Sequence, residues 1–191
     1  MEGHGDLNPG PRVVALVGSP RRQGNTASAV GVATQELERS GVNCETVMLC
    51  DFTAGLLAVD LGRQVSTGAD DCAEALLDRV WAADGLILAT PIYFCNVSAQ
   101  MKAFMDSTND RYLDKRWLAP RAVGMLAIGA QAGFTETIAA MRRYLDLLAP
   151  SHPPVEVATG HADAIGEARR SQEVREAARA MAARMADVLT G

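Results

Sequence analysis

Apolar residues along this chain fall into two alternating patterns, short continuous runs and longer stretches with helical spacing. The runs predict strands buried on both faces of a parallel sheet, and they cover residues 13–17, 42–49, 85–90, 122–128 and 155–159. Between them, apolar side chains at helical spacing predict helices over about 27–37, 73–81, 99–105, 138–148 and 164–189. This alternation predicts an α/β three-layer sandwich whose five-stranded parallel sheet has the order 2-1-3-4-5.

Two segments fall outside this pattern. Residues 1–11 are rich in glycine and proline and have no apolar period, so we expect a flexible lead-in before a single domain over 12–191. Residues 51–69 form a long stretch without a clear period, for which we expect a binding or partner-facing role. Two caps are also expected, a left-handed Gly41 after the first helix and Ser98 at the start of another.

Composition and charge argue against several classes of protein. The 191 residues are 48% hydrophobic and carry a net charge of −5, so a surface for nucleic acid is not expected. No apolar run approaches the ~20 residues that cross a bilayer, and the opening residues do not have the order of a secretory signal. We therefore expect a cytoplasmic protein without a membrane partner. The histidines have no fixed relation to a serine or cysteine nucleophile, so a hydrolase triad is not supported.

The cysteines indicate neither a zinc site nor a disulfide framework. They stand at positions 44, 50, 72 and 95, far apart and without a C-x-x-C pair. Reduced thiols are therefore expected. We interpret Cys95 as a packing residue, with a redox-active thiol as the alternative.

Ligands of an open parallel sheet with this order bind beyond the carboxyl ends of its first and third strands. The first loop, Gly18–Thr26, reads GSPRRQGNT and leads into a helix. Helical N–H groups and the hydroxyls of Ser19 and Thr26 favour an anion there, and Arg21 or Arg22 can add a guanidinium. The glycine spacing matches neither a triphosphate loop nor a dinucleotide fingerprint, which favours a single terminal phosphate. An ordinary helix-capping turn is the alternative.

The second loop, Thr90–Ser98, reads TPIYFCNVS and follows the third strand. Its residues 91–94 offer an apolar shelf to a flat heteroaromatic ring, unless the aromatic pair only covers the end of the sheet. The third loop, Gly129–Glu136, contains small residues that let backbone approach a ligand closely. Gln131 or Thr135 can hydrogen-bond a pyrimidine-like edge, although many strand-to-helix turns have a similar composition.

Together these motifs resemble the NADPH-dependent FMN reductase family and its iron–sulfur flavoprotein branch. The resemblance covers about residues 12–136 and rests on GSPR and GNT in the first loop, then on TPIYF, Asn96, VSAQMK, Phe104 and Asp106. It implies a flavodoxin-like fold, bound FMN, NADPH or NADH as reductant, and electron transfer to a small acceptor such as a quinone or a flavin. The alternative is a non-enzymatic flavin-binding electron carrier or a redox-responsive interaction protein.

The same resemblance assigns residues to the two ends of FMN. It places the phosphate at Ser19, Arg21, Asn25 and Thr26. It places the ring at a larger set drawn from the second and third loops, namely Pro91, Ile92, Tyr93, Phe94, Asn96, Gly129, Gln131 and Gly133. No protein residue is predicted to be catalytic, because the cofactor supplies the chemistry.

The sequence departs from the iron–sulfur branch in one respect. That branch has a compact cysteine cluster after the second strand, whereas this chain has no cysteine between Cys50 and Cys72. We therefore expect no iron–sulfur cluster and no other metal. Family members commonly pair, so we expect a homodimer or higher homo-oligomer, with Met101, Phe104 and Met105 either at its surface or in the core.

Overall fold

A computed structural model describes residues 10–52 and 70–191. The strands of its sheet are β1 (Arg12–Val17), β2 (Asn43–Met48), β3 (Gly85–Pro91), β4 (Ala122–Gly129) and β5 (Val155–His161). They lie in the order β2-β1-β3-β4-β5, and every neighbouring pair is parallel. The predicted α/β architecture and strand order are therefore confirmed.

Helices cover both faces of this sheet. Within the described residues they are α1 (Asn25–Arg39), α2 (Asp70–Trp81), α3 (Ala99–Ser107), α4 (Asn109–Leu113), α5 (Phe134–Leu148), α6 (Glu167–Arg170) and α7 (Gln172–Thr190). One core forms where α1 and α7 pack on the sheet, and a second where α2, α3 and α5 pack on the opposite face. A short 3-10 turn, Leu49–Asp51, follows β2.

The central strands are buried because their side chains alternate between these two cores. In β1, Val13, Ala15 and Val17 face the α1 and α7 side, and Val14 and Leu16 face the other. Burial of one Val or Leu side chain stabilises the fold by about 1.5–3 kcal/mol. The loops at the carboxyl ends of β1, β3 and β4 therefore start from a rigid base.

Both predicted caps are confirmed. Gly41 has φ 81°, which continues the chain after α1 in the left-handed conformation. Ser98 caps α3, since its Oγ accepts the N–H of Met101 at 3.2 Å. Met101 and Phe104 are fully buried, so the core interpretation is correct for them and the dimer-surface interpretation is wrong.

The predicted continuous helix over 164–189 is wrong. Helix α6 ends at Arg170, and α7 begins at Gln172 after Ser171 adopts an extended backbone with φ −67° and ψ 116°. The Ser171 Oγ accepts the N–H of Val174 at 3.3 Å, so a side-chain cap starts a new helix where the apolar period alone indicates continuity.

Helix α4 was not predicted, and a buried arginine holds it against α2. The side chain of Arg111 is 4% exposed and donates to Glu74 at 2.9 Å and to Asp78 at 2.8 Å. Its guanidinium carbon lies 4.6 Å from the centroid of the Trp81 ring. These contacts fix α4 in the layer that contains α2 and α3.

The predictions for the lead-in and for the long loop fall mainly on residues 1–9 and 53–69, which lie outside the described residues. The described end of the lead-in is fastened to β2. Asn43 donates its backbone N–H to the carbonyl of Pro11 at 2.8 Å and its amide to that of Gly10 at 3.0 Å. In the described part of the chain, no helix is long and apolar enough to cross a membrane.

Candidate functional site

The first and second loops are joined to each other at the carboxyl edge of the sheet. Gly18 donates its N–H to the carbonyl of Ala89 at 2.7 Å, and its own carbonyl accepts the Ser98 hydroxyl at 2.5 Å. A Cβ on Gly18 would lie 2.9 Å from both Ser98 Oγ and Met101 Cβ. Glycine at this position therefore allows the close approach that fixes one loop against the other.

The first loop ends in a helix start that is favourable for an anion. Gly24 caps α1 without a side-chain hydrogen bond, and the first turn of α1 contains no acidic residue. The N–H groups of Asn25, Thr26 and Ala27 have no acceptor among the described residues. Unpartnered N–H groups at the positive end of a helix dipole attract negative charge.

The two arginines of this loop differ in their ion-pair partners. Arg22 forms an ion pair with Asp51 at 2.5 Å, whereas Arg21 has no carboxylate partner within the described ranges. Ser19 is 4% exposed and Thr26 is 2% exposed. The Ser19 hydroxyl accepts the N–H of Arg21 at 3.1 Å, so it also shapes the loop. Arg21 is therefore the guanidinium available to a ligand of the first loop.

The carboxamide of Asn25 is engaged inside the protein. Its Nδ2 donates to the carbonyl of Ala164 at 2.9 Å and lies 3.5 Å from that of Ala162, and its Oδ1 accepts the N–H of Ala168 at 3.2 Å. The Asn25 backbone N–H remains available in the first turn of α1. The carboxamide of Asn25 is thus engaged with backbone groups of residues 162–168, and the predicted phosphate contact at this position stays a prediction.

The second loop contains a tight, strained turn. Tyr93 and Asn96 exchange two backbone hydrogen bonds of 3.0 Å, and the residues between them, Phe94 and Cys95, have φ 49° and φ 59°. Positive φ at both central positions is the pattern of a type I′ turn, which Asn-Gly usually fills. Each such residue that is not glycine costs on the order of 1–3 kcal/mol.

This turn presents apolar surface outwards. Phe94 is fully exposed, so it does not cover the end of the sheet, and Tyr93 is 43% exposed. Cys95 is exposed as well, and its interpretation as a packing residue is wrong, because the turn directs it away from the core. Asn96 uses its Oδ1 to accept the N–H of Val97 at 2.8 Å, which stabilises the exit from the turn.

The third loop packs directly against the second. Gly133 has φ 90°, and a Cβ there would lie 2.4 Å from Cys95 Cα. A Cβ on Gly129 would lie 2.8 Å from Ile92 Cδ1. Residues 130–132, including Gln131, are exposed. Both glycines therefore permit the close contact of these loops, and the residues between them face solvent.

One further residue at this edge was not predicted. His161 ends β5, with Nδ1 at 3.5 Å from the carbonyl of Ala130, and its ring centroid lies 4.6 Å from that of Phe134. The apolar run predicts a strand that ends at residue 159, two residues before His161. The sequence pattern therefore did not reveal that His161 extends the strand and reaches the third loop.

The structure thus brings all three predicted loops to one edge of the sheet. The second loop lies between the other two, since it bonds to Gly18 and packs against Gly133. Every predicted site residue lies in one of these loops or in the first turn of α1. Their contacts with a cofactor stay predictions.

Comparison with known proteins agrees with this arrangement. The profile of the family described as NADPH-dependent FMN reductase matches residues 11–164. An iron–sulfur flavoprotein of Archaeoglobus fulgidus is 33% identical over 132 residues, which is 67% of this chain and 59% of that protein. The match thus spans about three-fifths of the length of this relative.

Solved structures share the fold. RosB, crystallised with the bound intermediate 8-demethyl-8-formylriboflavin-5′-phosphate, superposes with a TM-score of 0.71 at 18% identity, covering 94% of this chain and 79% of RosB. An NAD(P)H:quinone oxidoreductase of Methanothermobacter marburgensis gives a TM-score of 0.65 at 14% identity, over 93% and 94% of the two chains. The profile match covers most of the sequence and all three loops, and the chain therefore belongs to the NADPH-dependent FMN reductase family.

Proposed function

We propose that this chain binds FMN across its three loops and acts as an NAD(P)H-dependent oxidoreductase that passes electrons to a small acceptor, such as a quinone or a flavin. The observation that carries the proposal is the start of α1. There, the first helical turn has unpartnered N–H groups and no acidic residue, and Arg21 precedes it in a loop that the Ser98 hydroxyl fastens to the second loop at Gly18. Family membership supports the same function.

The first loop suits a dianionic phosphate. The N–H groups of Asn25 and Thr26 provide neutral donors, and Arg21 provides a charge-assisted one. Ser19 and Thr26 are nearly buried, so their hydroxyls lie where bulk water is largely excluded. Hydrogen bonds to a charged group are stronger in such surroundings than in water.

The second and third loops suit a flat ring. Tyr93 and Phe94 offer apolar area, while the residues on either side, Pro91, Ile92 and Asn96, set the course of the turn. Gln131 is exposed beside them and is proposed to hydrogen-bond the polar edge of the ring. When bound, FMN supplies hydride acceptance and the release of electrons singly or in pairs. The chain then needs only to orient the ring and to shield one of its faces.

The same proposal extends to cofactor content. Since no cysteine stands between Cys50 and Cys72, we propose that the chain works without an iron–sulfur cluster, although its relative from Archaeoglobus fulgidus bears the name of an iron–sulfur flavoprotein. Iron analysis of the purified protein checks this point.

We also propose a homodimer. Two exposed apolar side chains, Tyr112 at 40% and Leu147 at 59% exposure, line a cavity of about 260 Å³ between α3, α4 and α5. A second copy would cover this surface. Sedimentation velocity, repeated with Leu147→Glu, tests the proposal, and a wild-type monomer at micromolar concentration would refute it.

Titration with FMN and riboflavin, followed by anaerobic addition of NADPH or NADH, tests the function. We expect quenching of flavin fluorescence on binding and loss of the yellow colour with at least one nicotinamide. Binding without bleaching would favour the electron-carrier alternative, and failure to bind FMN would refute both.

A pair of variants locates the phosphate within the same titration. Arg21→Ala is expected to weaken FMN binding by about tenfold, as for one lost charge-assisted hydrogen bond, without changing the affinity for riboflavin. Arg22→Ala is the matched control, because Arg22 is already paired with Asp51. Equal effects of both variants would contradict the assignment of the phosphate to Arg21.

A further inference from the structure

The Asn25 carboxamide connects the start of α1 to a distant part of the chain. Its amide donates to Ala164 at 2.9 Å, and its oxygen accepts from Ala168 at 3.2 Å. Both partners are backbone groups about 140 residues further along the chain, Ala164 in the connection between β5 and α6 and Ala168 in α6 itself. Only a side chain that both donates and accepts can make this pair of contacts, which an aspartate or an alanine cannot reproduce.

Further hydrogen bonds hold the segment that Asn25 contacts, residues 162–168. The Glu167 carboxylate accepts the N–H groups of Asp163 at 2.7 Å and Ala164 at 2.9 Å. A second hydrogen bond joins this part of the chain to α1, because the Nε of Arg169 donates to the Ser28 hydroxyl at 3.1 Å. Glu167 therefore shapes the turn that presents Ala164 to Asn25, without contact with the first loop.

The connection continues to the third loop. Ala162 donates its N–H to the carbonyl of Gly129 at 3.0 Å, and the preceding residue, His161, packs its ring against that of Phe134. A continuous chain of contacts thus runs from the first turn of α1, through residues 161–168, to the loop proposed to face the flavin ring.

We propose that Asn25 is a positioning residue that couples the two ends of the flavin site. Its side chain holds residues 162–168, which hold the third loop, while its backbone N–H faces the phosphate. This inference rests on the proposed binding of FMN. This role differs from a direct contact between the Asn25 side chain and the phosphate. If Asn25 is a positioning residue, binding of the ring also depends on Asn25, although Asn25 lies at the phosphate end of the site.

Two variants and one control test this coupling. Asn25→Ala removes both contacts of the side chain, and Glu167→Ala loosens the same turn from outside the first loop. Asn43→Ala is the matched control, because it also removes a hydrogen bond from an asparagine side chain to a backbone carbonyl. Asn43 is the first residue of β2, at the edge of the sheet opposite the three loops. The readouts are the affinities for FMN and riboflavin, and amide hydrogen exchange of the protein without any flavin.

Coupling predicts that Asn25→Ala weakens both flavins to a similar degree, by about tenfold, as expected for the loss of one to two net hydrogen bonds. Exchange in peptides covering 129–134 and 162–168 should become faster in both test variants and stay unchanged in Asn43→Ala. Glu167→Ala should shift both flavin affinities in the same direction by a smaller factor.

Three results would overturn the coupling. One is a loss of affinity for FMN alone in Asn25→Ala, which would assign the side chain to the phosphate. Another is unchanged exchange at 129–134 in both test variants. The third is unchanged binding of both flavins in Asn25→Ala. If the wild-type protein binds no FMN, the proposed function fails, and hydrogen exchange alone then decides whether Asn25 links the two loops.

Discussion

Replacing Gly133 by alanine should displace the aromatic turn, and Gly166 provides a control with nearly the same backbone. Both glycines precede a helix in the left-handed conformation, Gly133 with φ 90° and ψ 11° and Gly166 with φ 80° and ψ 4°. Neither helix start has a side-chain hydrogen bond that the substitution could remove. The substitution therefore introduces the same change of backbone preference at both positions.

The surroundings of the added Cβ differ. At Gly133 it would lie 2.4 Å from Cys95 Cα, 2.9 Å from Cys95 Cβ and 3.0 Å from Ile92 Cγ2, whereas at Gly166 nothing lies within 4 Å. The left-handed conformation costs an alanine about 1–2 kcal/mol at either site. Overpacking adds about 1–3 kcal/mol at Gly133 alone. We expect losses of about 2–5 kcal/mol for Gly133→Ala and about 1–2 kcal/mol for Gly166→Ala.

The nearest atom at Gly133 belongs to the backbone, so a side-chain rotation cannot relieve the clash. The turn between Tyr93 and Asn96 must move instead. Urea unfolding monitored by circular dichroism measures the two free energies of unfolding, and titration with FMN measures the effect on the site. Gly133→Ala should weaken FMN binding more than Gly166→Ala does, because only the alanine at 133 presses on the second loop, whereas the alanine at 166 acts only through the 162–168 turn.

Equal losses of stability in the two variants would refute the reasoning, because the difference between them measures the contact with Cys95. Unchanged FMN affinity in Gly133→Ala would show that the second loop tolerates displacement, and would contradict its proposed role under the ring.

Other predictions concern contacts away from Gly133. Ser98→Ala removes a helix cap and leaves the Gly18 carbonyl without its donor, so it should lower the free energy of unfolding by about 2–3 kcal/mol and weaken FMN binding. Ser171→Ala removes only a helix cap, so it should lower the free energy of unfolding by about 1 kcal/mol and leave FMN binding unchanged. Arg111→Ala should cost about 2 kcal/mol in urea unfolding through lost charged hydrogen bonds and the lost contact with Trp81, and little change would show that the buried arginine is not stabilising. The N–H groups of Ala164 and then Asp163 hold the pKa of Glu167 below its usual range, so its stabilising contribution is present above the ordinary carboxyl pKa and is lost as pH falls through the lower folded-state value. Unfolding midpoints of the wild type and Glu167→Gln should therefore converge on acidification, and a constant difference would contradict the shift.

The sheet was predictable from the sequence because its strands are encoded locally. A buried strand such as 85–90 must be apolar at every position, and this requirement is visible without knowledge of its neighbours. The strand order followed from the alternation of strands and helices. The helix caps at Gly41 and Ser98 were predictable for the same reason, since each depends on a residue type at a fixed position relative to the helix.

The features that were missed depend on contacts between distant residues. The side-chain partners of Asn25 lie about 140 residues away and are backbone groups, so no residue type reveals them. Helix α4, Asn109–Leu113, is too short to show an apolar period, and tertiary contacts of Arg111 stabilise it. His161 enters the site only because β5 continues beyond its apolar run. The left-handed Phe94 and Cys95 were also unforeseen, since residues of these types rarely occupy such positions.

The rigid Tyr93–Asn96 turn bears on which small molecules fit the proposed site. The paired hydrogen bonds on one side and the close backbone of Gly133 on the other leave the tip little room to rearrange. In the proposed flavin site we therefore expect this turn to exclude molecules of the wrong contour, and those of the right contour to lose little entropy from loop ordering on association. Discrimination at this edge then depends on rigid shape, and the conformational cost has already been met during folding.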